Sequence, residues 1–474
     1  MAAHSRHAAA RKRRALLRLL WALCTSVAVT GCAEGDGANG AGDMPSATPT
    51  RCSVVNEIAA GQQMVTSWRT APSDALITHP ISRLTVRQFL APHRSGETVR
   101  LRLSNRYSSL PVTLEHLHIA RELSPGDANL VPDSECLLTF GGRSRITIPP
   151  GETAVSDRIA YPVRAFERIG ISFFAPELTP QITRHLNANE ILFLSVPGDY
   201  AADPSGARFQ PVPDGYASNF LAIEALEVAA PRDVTTVVTV GDSITDGSGS
   251  TTQLLQRSAS PMTSTDQRYP NHLQRRIDQA GLPLTVANAG IGGNELLGDG
   301  VLPQFGPSLL ERFDHDVLTV AAARYVLVMI GTNDFGNSTA ARAPSTSDMI
   351  AGYTQLIDRA RAAGMKVILG TIPPAEGAVT DGLPLIGDLP INLDVMHGTP
   401  AARTSRDAVN AWIRSQTLSD GVVDFDACLE DPNDPGYLAA EYNSGDNLHP
   451  SPAGYAAMAA CVDLDLFRAS DSRP

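Results

Sequence analysis

Ser243, Asp446 and His449 are the side chains whose types and spacing suggest chemistry. Val237, Val238 and Val240 form an apolar, β-branched run that reads as a buried strand leading straight into Gly241, Asp242 and Ser243. Such a strand delivers a polar Ser to its carboxyl end, the place where open α/β sheets hold their ligands. Gly241, Gly247 and Gly249 supply the backbone freedom of a tight strand-to-helix turn. A serine hydroxyl is a weak nucleophile unless an imidazole takes its proton, and the imidazole needs a carboxylate to fix its tautomer. His449 and Asp446, three residues apart in a polar loop before the last helical stretch, fit those two roles. Acyl transfer through a tetrahedral intermediate further requires hydrogen-bond donors aimed at the developing oxyanion.

Four short blocks are relevant to that requirement: GDSIT at 241–245, NAGIGGN at 288–294, GTND at 331–334 and DNLHP at 446–450. In this order they resemble the four blocks of the SGNH, or GDSL, hydrolase superfamily, over a segment from about residue 232 to 474. The resemblance implies an oxyanion hole made of the backbone N–H of Ser243, the backbone N–H of Gly293 and the side-chain amide of Asn333. It also implies a flavodoxin-like three-layer fold and a serine esterase that needs no metal or organic cofactor. His272, His315 and His397 lie in the same segment. His272 sits in an amphipathic stretch, where Tyr269, Leu273 and Ile277 share a face, and His315 reads as a helix-end residue. His397 falls in a long loop that could overhang the site but matches no block, which leaves His449 as the base.

These residues are positioned by an alternation of strands and helices. Strands are expected at 234–240, 284–288, 325–330, 366–372 and 421–426. They alternate with helices near 268–280, 307–314, 347–363, 403–416 and 452–468. Strands separated by helices indicate a parallel sheet covered on both faces. The Pro- and Gly-rich stretch 373–402 reads as a long loop bordering the site.

Upstream, residues 52–231 read as a separate all-β domain, a jelly-roll-like sandwich, with 232–474 as the catalytic domain. Period-two alternation marks VRLRLSN through Val99, Leu101 and Leu103. In VTLEHLHIA the phase slips between Leu114 and Leu117, which suggests a bulge. The segments LTVRQFL, VRLRLSNRY and LTFGGRSRITIPPGETAVSD resemble the N-terminal domain of one group of exported bacterial SGNH hydrolases, similar to an esterase linked to xylan breakdown. Acetylated polysaccharide is therefore a candidate substrate, beside a broad short-chain carboxylesterase or lipase-type activity and a non-catalytic carbohydrate-binding role. Trp68, Tyr107 and Tyr200 could stack on sugars, although aromatic residues in a sandwich more often fill its core.

Residues 1–31 carry Arg6, Arg11, Lys12, Arg13, Arg14 and Arg18 with no acid before an apolar run, the layout of an export signal. Val29-Thr30-Gly31-Cys32 resembles a bacterial lipobox in which Cys32 is lipidated, with cleavage to a freely secreted protein as the alternative; Arg13-Arg14 loosely resembles a twin-arginine signal. Residues 32–51, rich in Gly, Ala, Ser, Pro and Thr, read as a flexible linker. The chain has 38 basic and 50 acidic residues. Loss of the six basic leader residues leaves 32 against 50, a net of −18, which disfavours nucleic acid and anionic membrane as partners. Any membrane contact is then expected through the lipid anchor alone. The four remaining cysteines suggest disulfides in an exported protein. Of three connectivities, Cys52–Cys136 and Cys428–Cys461 keep each bond within one expected domain.

Overall fold

The protein is described from a computed structural model, which covers residues 52–74, 80–212, 219–251, 264–337, 343–384 and 392–468. The expected signal segment 1–31, Cys32 and the rest of the 32–51 linker up to Arg51 lie outside the described residues.

Among the described residues, the first half forms two large antiparallel sheets and a short third one, Arg184–Leu186 paired with Asn219–Leu221. One large sheet sets Gln62–Arg69, Ile223–Pro231, Gly96–Ser104 and Thr153–Val155 side by side, with Ile159–Val163 also pairing on Gly96–Ser104. The other large sheet runs Phe209–Pro211, Phe193–Ser195, Leu84–Leu90, Ile169–Ala175, Val112–Arg121 and Cys136–Leu137, with Arg145–Ile148 also on Val112–Arg121. Val99, Leu101 and Leu103 from the first sheet and Leu114, Ile171 and Phe173 from the second share one core, all fully buried. Each such side chain contributes about 1.5–3 kcal/mol by leaving water. The phase slip expected in Val112–Arg121 is a register shift between Glu115 and His118, where His116 takes a left-handed φ of 51°. Trp68 belongs to the core, edge-on to Phe220 at 4.8 Å. Cys52 is bonded to Cys136 and Cys428 to Cys461, the expected pairs.

The second half is a parallel sheet in the order Leu284–Gly290, Thr235–Gly241, Ala323–Met329, Lys366–Gly370, Gly421–Val423. In chain order this is 2-1-3-4-5, the flavodoxin-like arrangement. Successive side chains on a strand point to opposite faces. Val238, Val240, Val326 and Val328 accordingly pack under helices Leu309–Phe313, Thr346–Ala362 and Pro400–Ser415. Val237, Val286, Leu327 and Met329 pack under Tyr269–Gln279 and Pro452–Cys461. Burial on both faces explains why VVTV is a nearly unbroken apolar run. The order reverses at the first strand, so the crevice opens at the carboxyl end of Thr235–Gly241.

Three of the expected elements shift most. The last strand stops at Val423 because Asp424 caps a helix, Phe425–Leu429, by accepting from the Ala427 N–H. The final helix stops at Cys461, where Val462 turns extended and Asp463 caps a separate 3-10 turn, Leu464–Phe467. The stretch 373–402 is not a plain loop: Thr380–Pro384 pairs antiparallel with Asn392–Val395, and the next helix begins at Pro400, with the Thr399 side chain accepting from Ala402 N–H.

The β and α/β halves lie within one compact unit, Pro49–Pro474. His93 crosses between them, buried: its Nδ1–H donates to Val286 O at 2.6 Å and its Nε2 accepts from the Asn271 amide at 2.8 Å. Arg69 reaches both Glu224 at 2.8 Å and Asp316 at 3.4 Å in an almost completely buried cluster.

Candidate active site

The turn that carries Ser243 begins where strand Thr235–Gly241 ends. A Cβ on Gly241 would sit 2.0 Å from Met329 O, so glycine here allows the neighbouring strand to approach. Asp242 then caps the short helix Ser243–Asp246, its Oδ1 accepting from Ile244 N–H at 2.9 Å, and Gly247 closes the turn at φ 103°. Asp242 is buried, which pushes its carboxyl up to about 7. Arg312 sits beneath the turn, fully buried, and donates to Gly241 O, Ala289 O, Asn294 Oδ1 and Asp316 Oδ2 at 2.7–2.9 Å. One guanidinium thus ties together two strand ends and the loop that follows the second.

His449 reaches Ser243 from the loop before helix Pro452–Cys461. Its Nε2 lies 2.7 Å from Ser243 Oγ and its Nδ1 lies 2.6 Å from Asp446 Oδ2. Asp446 Oδ1 accepts from the backbone N–H of His449 at 2.8 Å and of Leu448 at 3.0 Å, and from Ser444 Oγ at 3.2 Å. Burial works against its charge, but the adjacent His449 and these donors outweigh burial and hold the Asp446 carboxyl well below the usual carboxylate range. An ionised carboxylate only accepts, so the His449 proton sits on Nδ1, leaving the Nε2 lone pair for the Ser243 hydroxyl.

The loop after strand Leu284–Gly290 runs directly past Ser243, since a Cβ on Gly292 would lie 3.9 Å from Ser243 Cβ. Asp246 Oδ2 accepts from Gly292 N–H at 3.1 Å, and Asp246 Oδ1 faces His185 Nε2 at 2.9 Å. The opposite ring nitrogen of His185 donates to Ala71 O at 2.8 Å, so the β half helps to hold this loop. Gly293 has φ 76°, and a Cβ there would strike the Phe305 ring at 2.4 Å. Asn294 donates to Phe305 O and Pro307 O, both at 2.8 Å. Asp334 accepts from Leu296 and Leu297 N–H at 2.8 and 3.1 Å, and burial raises it to about 6. Among the described residues, the backbone N–H groups of Ser243 and Gly293 have no acceptor.

Asn333 stands in helix Thr332–Gly336, entered through Gly331 at φ 126°. Its amide nitrogen donates to Asn294 O at 2.9 Å, and its Oδ1 meets His397 Nε2 at 3.1 Å. Ser243, Asp446 and His449 are therefore joined by direct hydrogen bonds, and Asn333 is linked through Asn294 to the loop that carries Gly293. Of the other histidines, His272 is half-buried in helix Tyr269–Gln279, and His315 contacts Asp316 at 2.7 Å. Among the described residues, no group of three or more His, Cys, Asp or Glu side chains is placed to hold a metal ion.

Sequence reading overlooks His185, Arg312 and the contact of His397. Arg312 left a trace, because it falls three residues after Leu309 and so shares the buried face of its helix. His185 left none: it is brought to Asp246 from 61 residues away by packing between the two halves.

Residues 239–457 match the GDSL-like lipase/acylhydrolase family model. No curated protein matches. Among solved structures the chain is similar to a GDSL-like lipase from Bacteroides thetaiotaomicron, at 20% identity over 50% of this chain and 90% of that one, with a TM-score of 0.34. It is also similar to Est24, a carbohydrate acetylesterase from Sinorhizobium meliloti, at 14% identity over 48% and 94%, TM-score 0.34. A third is the aryl esterase of M. smegmatis, at 15% identity over 48% and 95%, TM-score 0.35. All four quoted blocks lie inside the matched span, and the segment 239–457 of this chain matches as a GDSL-like lipase/acylhydrolase domain.

Proposed function

We propose that the protein is an exported serine esterase that removes acetyl or other short acyl groups through an acyl-enzyme. The observation that carries this reading is the relay Asp446–His449–Ser243, with hydrogen bonds of 2.6 and 2.7 Å. Ser243 Oγ attacks the ester carbonyl as its proton passes to His449 Nε2, and Asp446 stabilises the imidazolium. The N–H groups of Ser243 and Gly293 and the second amide N–H of Asn333 receive the oxyanion. His449 then returns the proton to the leaving alcohol, and water releases the acyl group by the same steps.

Export is supported by the two disulfides, which persist in oxidising compartments, and by the leader with its Cys32 lipobox. A polysaccharide ester is the substrate class favoured by the resemblance of the β half to domains of exported hydrolases; the competing substrates are simple short-chain esters. The test is acetate release from acetylated xylan beside turnover of p-nitrophenyl acetate and octanoate, with Ser243→Ala as the blank. Release from xylan with little octanoate turnover is expected. Aryl ester turnover without xylan release would move the substrate to other acyl esters, and undiminished hydrolysis by Ser243→Ala would remove the mechanism altogether.

A further inference from the structure

We propose that His397 is a positioning residue for the oxyanion hole, holding the Asn333 amide in the one orientation that points an N–H at the substrate carbonyl. The inference rests on the esterase reading above. An amide side chain has one accepting edge and one donating edge. Asn294 O, 2.9 Å away, is an acceptor, so the edge facing it is Nδ2. Oδ1 therefore faces His397 Nε2 at 3.1 Å, and since an amide oxygen only accepts, that ring nitrogen carries the proton. With one N–H on Asn294 O and the oxygen on His397, the remaining N–H of Asn333 is the free donor.

The surroundings are shaped for this contact. Gly336, on the same short helix as Asn333, leaves a slot for the imidazole: a Cβ there would lie 2.1 Å from His397 Cδ2. Met396 N–H donates to Gly336 O at 3.2 Å, docking the His397 segment on that helix. The ring is neutral, because burial and, to a smaller extent, the nearby His449 push His397 down to about 3. Its single proton lies on Nε2, and Nδ1 is buried with no partner among the described residues. A bare buried acceptor is a cost that pure packing would not select, since an apolar side chain of similar size would fill the slot without it.

The amide torsion of Asn is broad and roughly two-fold, so loss of the imidazole donor leaves the reversed orientation accessible, with oxygen facing oxygen at the carbonyl. The expected cost is in kcat, because an oxyanion contact strengthens only as charge develops.

The experiment is a double-mutant cycle on p-nitrophenyl acetate with His397→Ala and Asn333→Ala. His397→Ala alone is expected to lower kcat about tenfold, a fraction of the roughly 10²–10³ set by losing the donor itself, with KM changed by less than about threefold. In the Asn333→Ala background the same substitution is expected to change kcat by less than about twofold, which a merely structural histidine would not do. His397→Gln, which keeps an N–H donor, is expected to recover most of the rate. His397→Leu fills the slot without a donor and replaces His397→Ala in the cycle if that variant fails to fold. Equal losses in both backgrounds, or a Gln variant no better than Leu, would overturn the role of His397. A loss below tenfold for Asn333→Ala alone overturns the oxyanion assignment, and the role of His397 with it.

Discussion

Replacing Asp446 by Asn changes one atom and tests the whole relay. In the protein Asp446 Oδ2 receives the His449 Nδ1 proton at 2.6 Å, while Oδ1 accepts two backbone N–H groups and the Ser444 hydroxyl. The asparagine oxygen will keep the Oδ1 position, because three donors converge there and an NH2 group cannot accept from them. Its NH2 then faces His449 Nδ1, which must become the accepting nitrogen. The proton moves to Nε2, pointing at Ser243 Oγ across 2.7 Å, and the serine loses its base while the geometry is kept. In the serine-protease triad the same tautomer error costs about 10⁴ in kcat, or roughly 5.5 kcal/mol. We expect Asp446→Asn to lose about 10³–10⁴ in kcat on p-nitrophenyl acetate at pH 7.5, with an unchanged circular dichroism spectrum and melting temperature. Stopped-flow turnover with active-site titration measures it; a loss below tenfold would show that Asp446 does not set the His449 tautomer.

Two other perturbations report on the frame around the site. Burial lowers His93 from about 6.5 to about 4 in the folded protein, so the unfolded chain binds the extra proton between those values. The His93 contribution is complete above pH 6.5 and is lost as pH falls toward 4, by about 2 kcal/mol at pH 5. Urea unfolding at pH 7.5 and 5.0 should therefore show a pH difference smaller by that amount in His93→Gln, and an identical difference in both proteins would count against a neutral buried His93. Gly293→Ala puts a Cβ against the Phe305 ring at a φ of 76°, so the loop must move off the ring. Because a donor moved by 1 Å can cost about 10² in rate, kcat should fall by that order while the melting temperature drops only a few degrees; full activity would place Gly293 outside the oxyanion hole.

Much of the α/β half is legible in the chain because its strands are buried on both faces and its turns carry fixed chemistry. VVTV before GDSIT marks a central strand, and Gly364 after Thr346–Ala362 marks a helix end at φ 77°. Boundaries slip where a polar residue begins a new element that periodicity cannot register, as Asp424 does after Val423 and Asp463 after Cys461. The pairing of Thr380–Pro384 with Asn392–Val395 was hidden in the same way, since a short hairpin rich in Pro and Gly has no apolar alternation to announce it.

The candidate residues of the site were legible locally: Ser243, Asp446, His449, Gly293 and Asn333 each lie in a short block whose residue types suffice to suggest a role. What holds those blocks together was decided only by the tertiary structure. His185 reaches Asp246 across 61 positions, His397 reaches Asn333 across 64, and Arg312 gathers Gly241, Ala289 and Asn294 under the turn. Buried polar groups must find partners wherever the fold places them, and no pattern in the local chain records which distant group that will be.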